Sequence, residues 1–508
     1  MRPVLNVAAR IVFMLAAVCT AEPLTWIKRY GMPDRAEFAF GGIVETGNGN
    51  FVVCGGTWSN IPWDKDGYII KIDAFGDTVW TRRVGTMGVG AGGDFIFDVI
   101  LNNNNELVFT GTKYSPRYGR QVWFLRVSQN GEILTDKTIG DTLEDNGGAM
   151  IQNPDGTYLI LGDTKNRGTQ IGGKDIWLLK LDQNGDTIWT RTYDLQYADQ
   201  GAGITATGDG GYLMTAFSCT GEWPFPPAYM GFASYLVIDT FGNLQKVMSF
   251  REDSLTTLGR PERTRAGGWI LAGQRSQNDV FPNRDIWVMK LDARADTQWT
   301  RTIGTRGRYD GGASIIESRS SGYYLTAYSQ TYAPPGMGYD NWWLLRLDDA
   351  GDTLWTRWYG GPLNDDPSAI ILTSDSGLAI AGWRDANSWD SLTLGNADFW
   401  VIKADTNGLV SGIKDAPPVQ GGLRGRFDVY PNPCRDVATV RFAVPGPQHV
   451  RLHVSDVLGR RMFTLIDRKL SQGSHAVRCD MSGLPGGVYY CELESDKGPS
   501  QVTKLLRL

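Results

Sequence analysis

Histidine is nearly missing from this chain of 508 residues. There are only three, His449, His453 and His475, all within the last 60 residues. The first 448 residues therefore cannot build a Ser-His-Asp triad, a histidine proton shuttle or a His-ligated metal site. Cysteine is also scarce, at six, and no Cys-x-x-Cys occurs, which argues against a zinc site. Charge of one sign is lacking as well: 50 Lys+Arg stand against 55 Asp+Glu. No basic run with interleaved aromatics is present, so nucleic acid is not an expected partner. Long helical patterns and membrane-length apolar runs are absent beyond the N-terminus, so no transmembrane span is expected in the mature chain.

What is abundant is glycine, at 63, and tryptophan, at 18. That mixture suits an all-β chain with many tight turns. At the N-terminus Arg2 and Arg10 flank a short apolar stretch, Ile11 to Cys19, followed by Cys19-Thr20-Ala21. This reads as a signal peptide over residues 1–21, hence Sec export. Its removal leaves Cys54, Cys219, Cys434, Cys479 and Cys491, an odd number. One bridge among the last three fits an oxidising compartment.

The strongest signal is internal repetition. An apolar strand ending in Asp, a glycine turn and a strand opening near Trp recur, as in Trp177 to Arg191, Trp287 to Arg301 and Trp343 to Arg357. The anchors fall at 26, 80, 134, 189, 245, 299, 355 and 410, always 54 to 56 residues apart. Each period holds four short strand candidates, A to D, with Gly-, Asn- and Asp-rich turns between A and B and between C and D. Seven such periods over residues 22–414 predict a seven-bladed β-propeller. Eight D candidates against seven A-B-C sets predict closure: Leu24 to Tyr30 completes the blade that contains Trp400. Strand C carries an aromatic at 68, 123, 177, 287, 343 and 400, with Lys or Arg three residues later; the fourth repeat departs, with Ser234 and Val237.

The Asp-x-x-Gly-Asp-Thr-x-Trp element, as in Asp182 to Trp189, resembles the tryptophan-docking turn of quinoprotein-type propellers. That resemblance implies a fold and no cofactor. The repeats as a whole resemble those of secreted bacterial propellers that carry a C-terminal sorting domain.

A Pro/Gly-rich linker, residues 415–425, ends the repeats. Residues 426–508 carry a net charge of +4, which leaves −9 on the rest. Alternating stretches at Ala438 to Val444 and Val450 to Val454 read as strands of a small immunoglobulin-like β-sandwich. The segment resembles the type A sorting domain of the type IX (Por) secretion system. The residues that carry the likeness are Pro431, Asn432 and Pro433, Gly459 in Asp456-Val-Leu-Gly-Arg460, Gly487 and Tyr489, and Lys504 in the closing strand. This implies the type IX machinery as a partner and an extracellular or outer-membrane surface location.

In the propeller, the A-B and C-D turns are short, whereas the B-C connections are long, vary from blade to blade and leave from the opposite end. Function collects in such loops. Aromatics there that no strand pattern explains, Trp58, Trp63, Trp223, Tyr229, Tyr339 and Trp389 foremost, are candidates to bind a glycan or peptide. Asp94, Asp145, Asp199, Asp310 and Asp365 recur before strand A and are expected to accept backbone N–H groups, with a cation bound by several of them as the alternative. No catalytic residue, metal site or cofactor can be named from the residues. A binding, scaffolding or display role is the first reading. A carboxylate-dependent glycan hydrolase on the same scaffold is the alternative.

Overall fold

The computed structural model describes residues 24–32, 35–59, 65–86, 93–165, 173–196, 198–219, 231–251, 255–276, 284–304, 309–330, 340–361, 363–386, 397–410, 427–430, 434–444, 447–456, 460–471, 473–496 and 498–507. No α-helix occurs among them, and no helix is long and apolar enough to cross a membrane. The expected signal peptide and linker lie outside the described residues.

Between Trp26 and Ala404 the strands form seven antiparallel up-and-down sheets. Sheet 6 shows the pattern: Asp310–Glu317, Tyr323–Ser329, Asn341–Leu347 and Thr353–Tyr359 pair in sequence order. Sheet 7 contains Asn364–Leu372, Leu378–Ala386 and Asp398–Ala404, and its outer strand is Trp26–Tyr30 from the start of the chain. The register sets Trp26 opposite Lys403 and Arg29 opposite Trp400, as the count of D strands predicts.

Seven apolar cores join each sheet to the next. Val52 and Ile69 of sheet 1 meet Phe109 and Trp123 of sheet 2, and Ile316 and Trp342 of sheet 6 meet Ile380 and Trp400 of sheet 7. The last joint packs Trp26, Phe399 and Val401 of sheet 7 on Phe51, Tyr68 and Ile70 of sheet 1. The ring is therefore closed, the arrangement of a β-propeller, and no inter-sheet face is left over.

The repeat motif is the joint itself. The Trp26 indole donates to the Ala74 carbonyl (2.8 Å) and that of Trp80 to the Gln129 carbonyl (3.0 Å), each in the C-D turn of the next sheet. In that turn Asp73 Oδ1 accepts the N–H groups of Phe75 (2.9 Å) and Asp77 (2.8 Å). Gly76 follows at φ +77°, with the Trp26 ring where a side chain would go. The Asp-Gly turns thus serve docking. The strand C cations reach the same turns: Lys71 Nζ donates to the Gln129 carbonyl (2.9 Å) and Arg126 Nη1 to that of Gln183 (2.7 Å).

The second unit is a two-sheet sandwich. One sheet holds Asp428–Tyr430, Val437–Val444 and Gly473–Asp480; the other holds Arg461–Leu470, Gln448–Asp456, Gly487–Ser495 and Gly498–Arg507. Val440, Phe442, Leu452, Val454 and Leu493 fill its core. Cys434, Cys479 and Cys491 are buried there as free thiols.

Candidate functional site

Strand alternation puts the A-B and C-D turns at one end of the ring and the B-C and D-A connections at the other. Not every B-C connection is long: in sheet 2, Leu107–Ser115 turns directly into Gly119–Val127, with Tyr118 in the turn. The variable end is built on a polar junction that recurs at most joints; between sheets 4 and 5 Phe250 takes the position after strand D and packs on the core. Three positions meet at each polar junction: the residue opening strand C, the residue just after strand D, and the acid opening the next strand A. They are Asp66, Gly85 and Asp94 between sheets 1 and 2, and Asn341, Gly360 and Asp365 between sheets 6 and 7. A Cβ on Gly85 would lie 2.9 Å from Asp94 Cγ; one on Gly360 would lie 2.9 Å from Asn341 Cγ. At these two junctions glycine leaves the room that the neighbouring side chains occupy.

The strand A acids are fully buried, as Asp94, Asp145, Asp199, Asp310 and Asp365 all show. Asp94 accepts the N–H groups of Thr86 and Tyr114, Asp145 that of Asp141 (3.1 Å), and Asp365 that of Gly361 (2.7 Å). Asp310 accepts the Ser329 hydroxyl. Burial pushes the Asp94 carboxyl up, and its two backbone donors pull it back part of the way. These carboxylates hold the D-A connections in place. Sequence reasoning missed Glu37, their counterpart in sheet 1. It is fully buried, accepts the Thr57 hydroxyl (3.1 Å), and is pushed up to about 7 by burial.

Two groups of side chains at this end have chemistry to offer. The first is an aromatic cluster where sheet 1 meets its neighbours. Trp58 lies in the strand Asn50–Ser59 and not in the loop beyond it. Its ring packs 4.6 Å from Phe38, which meets Trp383 edge-on at 5.4 Å. Phe40, Trp58, Phe95 and Phe97 follow as a half-exposed row with centroid spacings of 6.1–6.3 Å. Lys65 Nζ stands 4.2 Å over the Trp58 ring, and the buried Trp58 Nε1 has no hydrogen-bond partner. Of the candidate ligand residues, Trp63, Trp223, Tyr229, Tyr339 and Trp389 lie outside the described residues.

The second group lies at sheets 5 to 7 and was not singled out from sequence. Tyr309 and Tyr328 stack at 5.8 Å, and the Arg284 guanidinium sits 4.7 Å over Tyr309 and donates to its hydroxyl. Gln330 donates to Asp340 Oδ1 (2.9 Å). Beside them Asp366 is buried, and Oδ1 has no hydrogen-bond partner. Burial, reinforced by Asp340 and Asp365, holds its carboxyl well above the usual carboxylate range. Burial raises the Asp340 carboxyl as well, so two buried carboxyls stand near each other here. A finer signal was present in the sequence: Asp366 directly follows the repeat acid Asp365.

In the sandwich, Gly487 opens an inner strand and Lys504 pairs with Tyr490 across to the closing strand. The Tyr489 hydroxyl donates to the Pro485 carbonyl (2.8 Å). Pro431, Asn432, Pro433 and Gly459 lie outside the described residues. The closing strand ties back to the chain just before Val437–Val444: Cys434 N–H donates to the Leu506 carbonyl (2.9 Å), and Arg507 Nε to that of Arg435 (3.0 Å).

Among solved structures, the chain is similar to the Neurospora crassa Pan2 WD40 domain at 10% identity, over 75% of this chain and 96% of that one, with a TM-score of 0.41. It is similar to a Dyadobacter fermentans protein of unknown function at 9% identity, over 74% and 99%, with a TM-score of 0.41. It is also similar to a puromycin hydrolase at 10% identity, over 80% and 58%, with a TM-score of 0.44. The propeller reading rests on the strand pairing and the closed cores above. No curated protein matches the chain. Residues 428–507 match the secretion system C-terminal sorting domain, so the chain is a β-propeller repeat protein marked for export and for attachment at the cell surface or outer membrane.

Proposed function

We propose that this chain is an exported, surface-displayed propeller that binds a glycan or peptide at the end of the ring bearing the B-C and D-A connections. The observation that carries the proposal is the half-exposed row Phe40, Trp58, Phe95 and Phe97 with Lys65 over the indole. Flat apolar faces beside a cation suit sugar rings or peptide side chains. Trp63, Trp223, Tyr229, Tyr339 and Trp389, in the B-C connections, are the further residues proposed to contact the ligand. Residues 1–21 act as the signal peptide, 415–425 as the linker and 426–508 as the sorting domain.

Glycan and peptide arrays probed with the full chain test this. Replacing Trp63, Trp223 and Trp389 by Ala should weaken binding at least about tenfold, or roughly 1.4 kcal/mol, with the melting temperature nearly unchanged. Unaltered binding would place the site elsewhere, and a large stability loss would make these residues packing. Asp340 and Asp366 favour a second reading, carboxylate-dependent glycan hydrolysis. Product analysis decides it: turnover of an array-positive glycan by the full chain, lost in Asp366→Asn, would make the protein an enzyme.

A further inference from the structure

The repeat sets cations at one further position. Three residues before the strand C aromatic, where strand C begins at the variable end, stand Lys65, Arg120, Lys174 and Arg284 in sheets 1, 2, 3 and 5. They belong to the part of the chain before residue 426, whose net charge is −9. Lys174 pairs with Asp163 (2.7 Å), and Arg284 is held on Tyr309. Lys65 and Arg120 lie in neighbouring sheets, and among the described residues neither has a carboxylate partner.

The carboxylates around these two are already used. Asp66 is buried and shared by Arg35 (3.5 Å) and Arg83 (3.0 Å). Asp94 spends both oxygens on the N–H groups of Thr86 and Tyr114. Glu144, beside Gly119, faces Lys165 (3.9 Å). Burial, and after it the charge of Arg120, pulls the Lys65 ammonium below its ordinary pKa. Two like charges thus stand near each other, and an anion placed between them would relieve both.

The aromatic row adjoins the same pair. A Cβ on Gly93 would lie 3.0 Å from Phe95 Cε2 and 3.4 Å from Lys65 Cβ, so Phe95 and Lys65 flank one glycine. The Trp58 indole holds the ammonium at 4.2 Å, which fixes it at the rim of the row. A fixed cation beside apolar faces suits a ligand in which face and anion are one rigid unit. A sugar acid is such a unit, because its carboxylate or sulfate is carried by the ring that stacks. In an acidic peptide the anion and the apolar group sit on separate flexible side chains, and ordering each costs rotamer entropy.

We propose, resting on the binding role above, that the ligand of this row is an acidic glycan, with its anion between Lys65 and Arg120 and its rings on Phe40, Phe95 and Phe97.

Calorimetry on the full chain reads this with two matched pairs of probes: polygalacturonate against its methyl ester, and dextran sulfate against dextran. At least one anionic polymer should bind at least about tenfold tighter than its neutral partner. The pair that shows the difference identifies the anion as carboxylate or sulfate. Lys65→Gln and Arg120→Gln should each weaken that binding at least about threefold, and Lys65→Arg should keep most of it. Arg120 is half-exposed, so its variant remains informative if Lys65→Gln disturbs folding. Poly-L-glutamate bound as tightly as the acidic glycans would make the ligand an acidic peptide and overturn the proposal. Binding unchanged in the Lys65→Gln/Arg120→Gln double variant would assign it to the cationic residues 426–508 and overturn it as well. Neutral glycans bound as tightly as the acidic ones, or in their place, would overturn the anion and leave the glycan-binding role standing. No binding of any array glycan or peptide would remove that role itself.

Discussion

Removing the Trp26 side chain probes whether the ring is closed by a joint equal to the other six. The indole is 8% exposed, donates to Ala74, lies over Gly76 and meets Phe51 edge-on at 6.2 Å. A buried Trp→Ala change costs about 3–5 kcal/mol, of which the hydrogen bond contributes roughly 1 kcal/mol. Trp80 makes the matching contacts one joint further on, with its indole on Gln129 and its ring over Gly131. Trp26→Ala and Trp80→Ala should therefore lower propeller stability by similar amounts, within about 1 kcal/mol of each other. Lys28→Ala is the control: it breaks a solvent-facing pair with Asp77, which is worth under about 1 kcal/mol. Urea unfolding followed by far-ultraviolet circular dichroism reads all three. A Trp26→Ala loss no larger than that of Lys28→Ala would refute closure by the N-terminal strand, since residues 26–30 would then be an appended strand that the ring does not need.

Glu37 gives a pH dependence whose sign is fixed. Its carboxyl titrates near 7 when folded and near 4.5 when exposed, so the folded chain holds a proton that the unfolded chain has released. Stability therefore falls as pH rises from 4.5 to 7 and levels off above, by at most about 3 kcal/mol. Glu37→Gln should flatten that slope, so urea midpoints at pH 5 and pH 8 should differ less than in the wild type; an unchanged slope would put the buried proton elsewhere. Asp94→Asn leaves an amide group facing a backbone N–H at Thr86 or Tyr114 and should cost about 1–3 kcal/mol. A neutral result would mean that the ring of strand A acids does not hold the D-A connections.

The architecture was legible because the joint that closes each blade pair is written as one short phrase. Asp, Gly and Trp at fixed spacing set a turn, a gap and the indole that fills it, so counting phrases counted joints. Strand A was harder to read. In sheet 1 it breaks into Arg35–Phe38 and Ile43–Thr46, and in sheet 5 into Thr256–Leu258 and Glu262–Arg263, and in the other five sheets the A-B pairing shifts register midway, as between Gly147 and Ala149. Trp58 was assigned to a loop because strand B runs on to Ser59, past the alternation that marks its start. The strand A acids could be read as structural from their period alone. Glu37, Asp340 and Asp366 could not, since their meaning depends on burial and on neighbours from other repeats.

The most direct test of the surface-display reading is where the chain goes. In a bacterium with a working type IX system, full-length protein should reach the cell surface or the medium and be cut by protease added to intact cells. A chain lacking residues 426–508 should fold, give the same propeller unfolding transition, and stay protected behind the outer membrane. Equal surface exposure of the truncated and full-length chains would contradict the assignment of residues 428–507 as the export signal, and with it the placement of the propeller outside the cell.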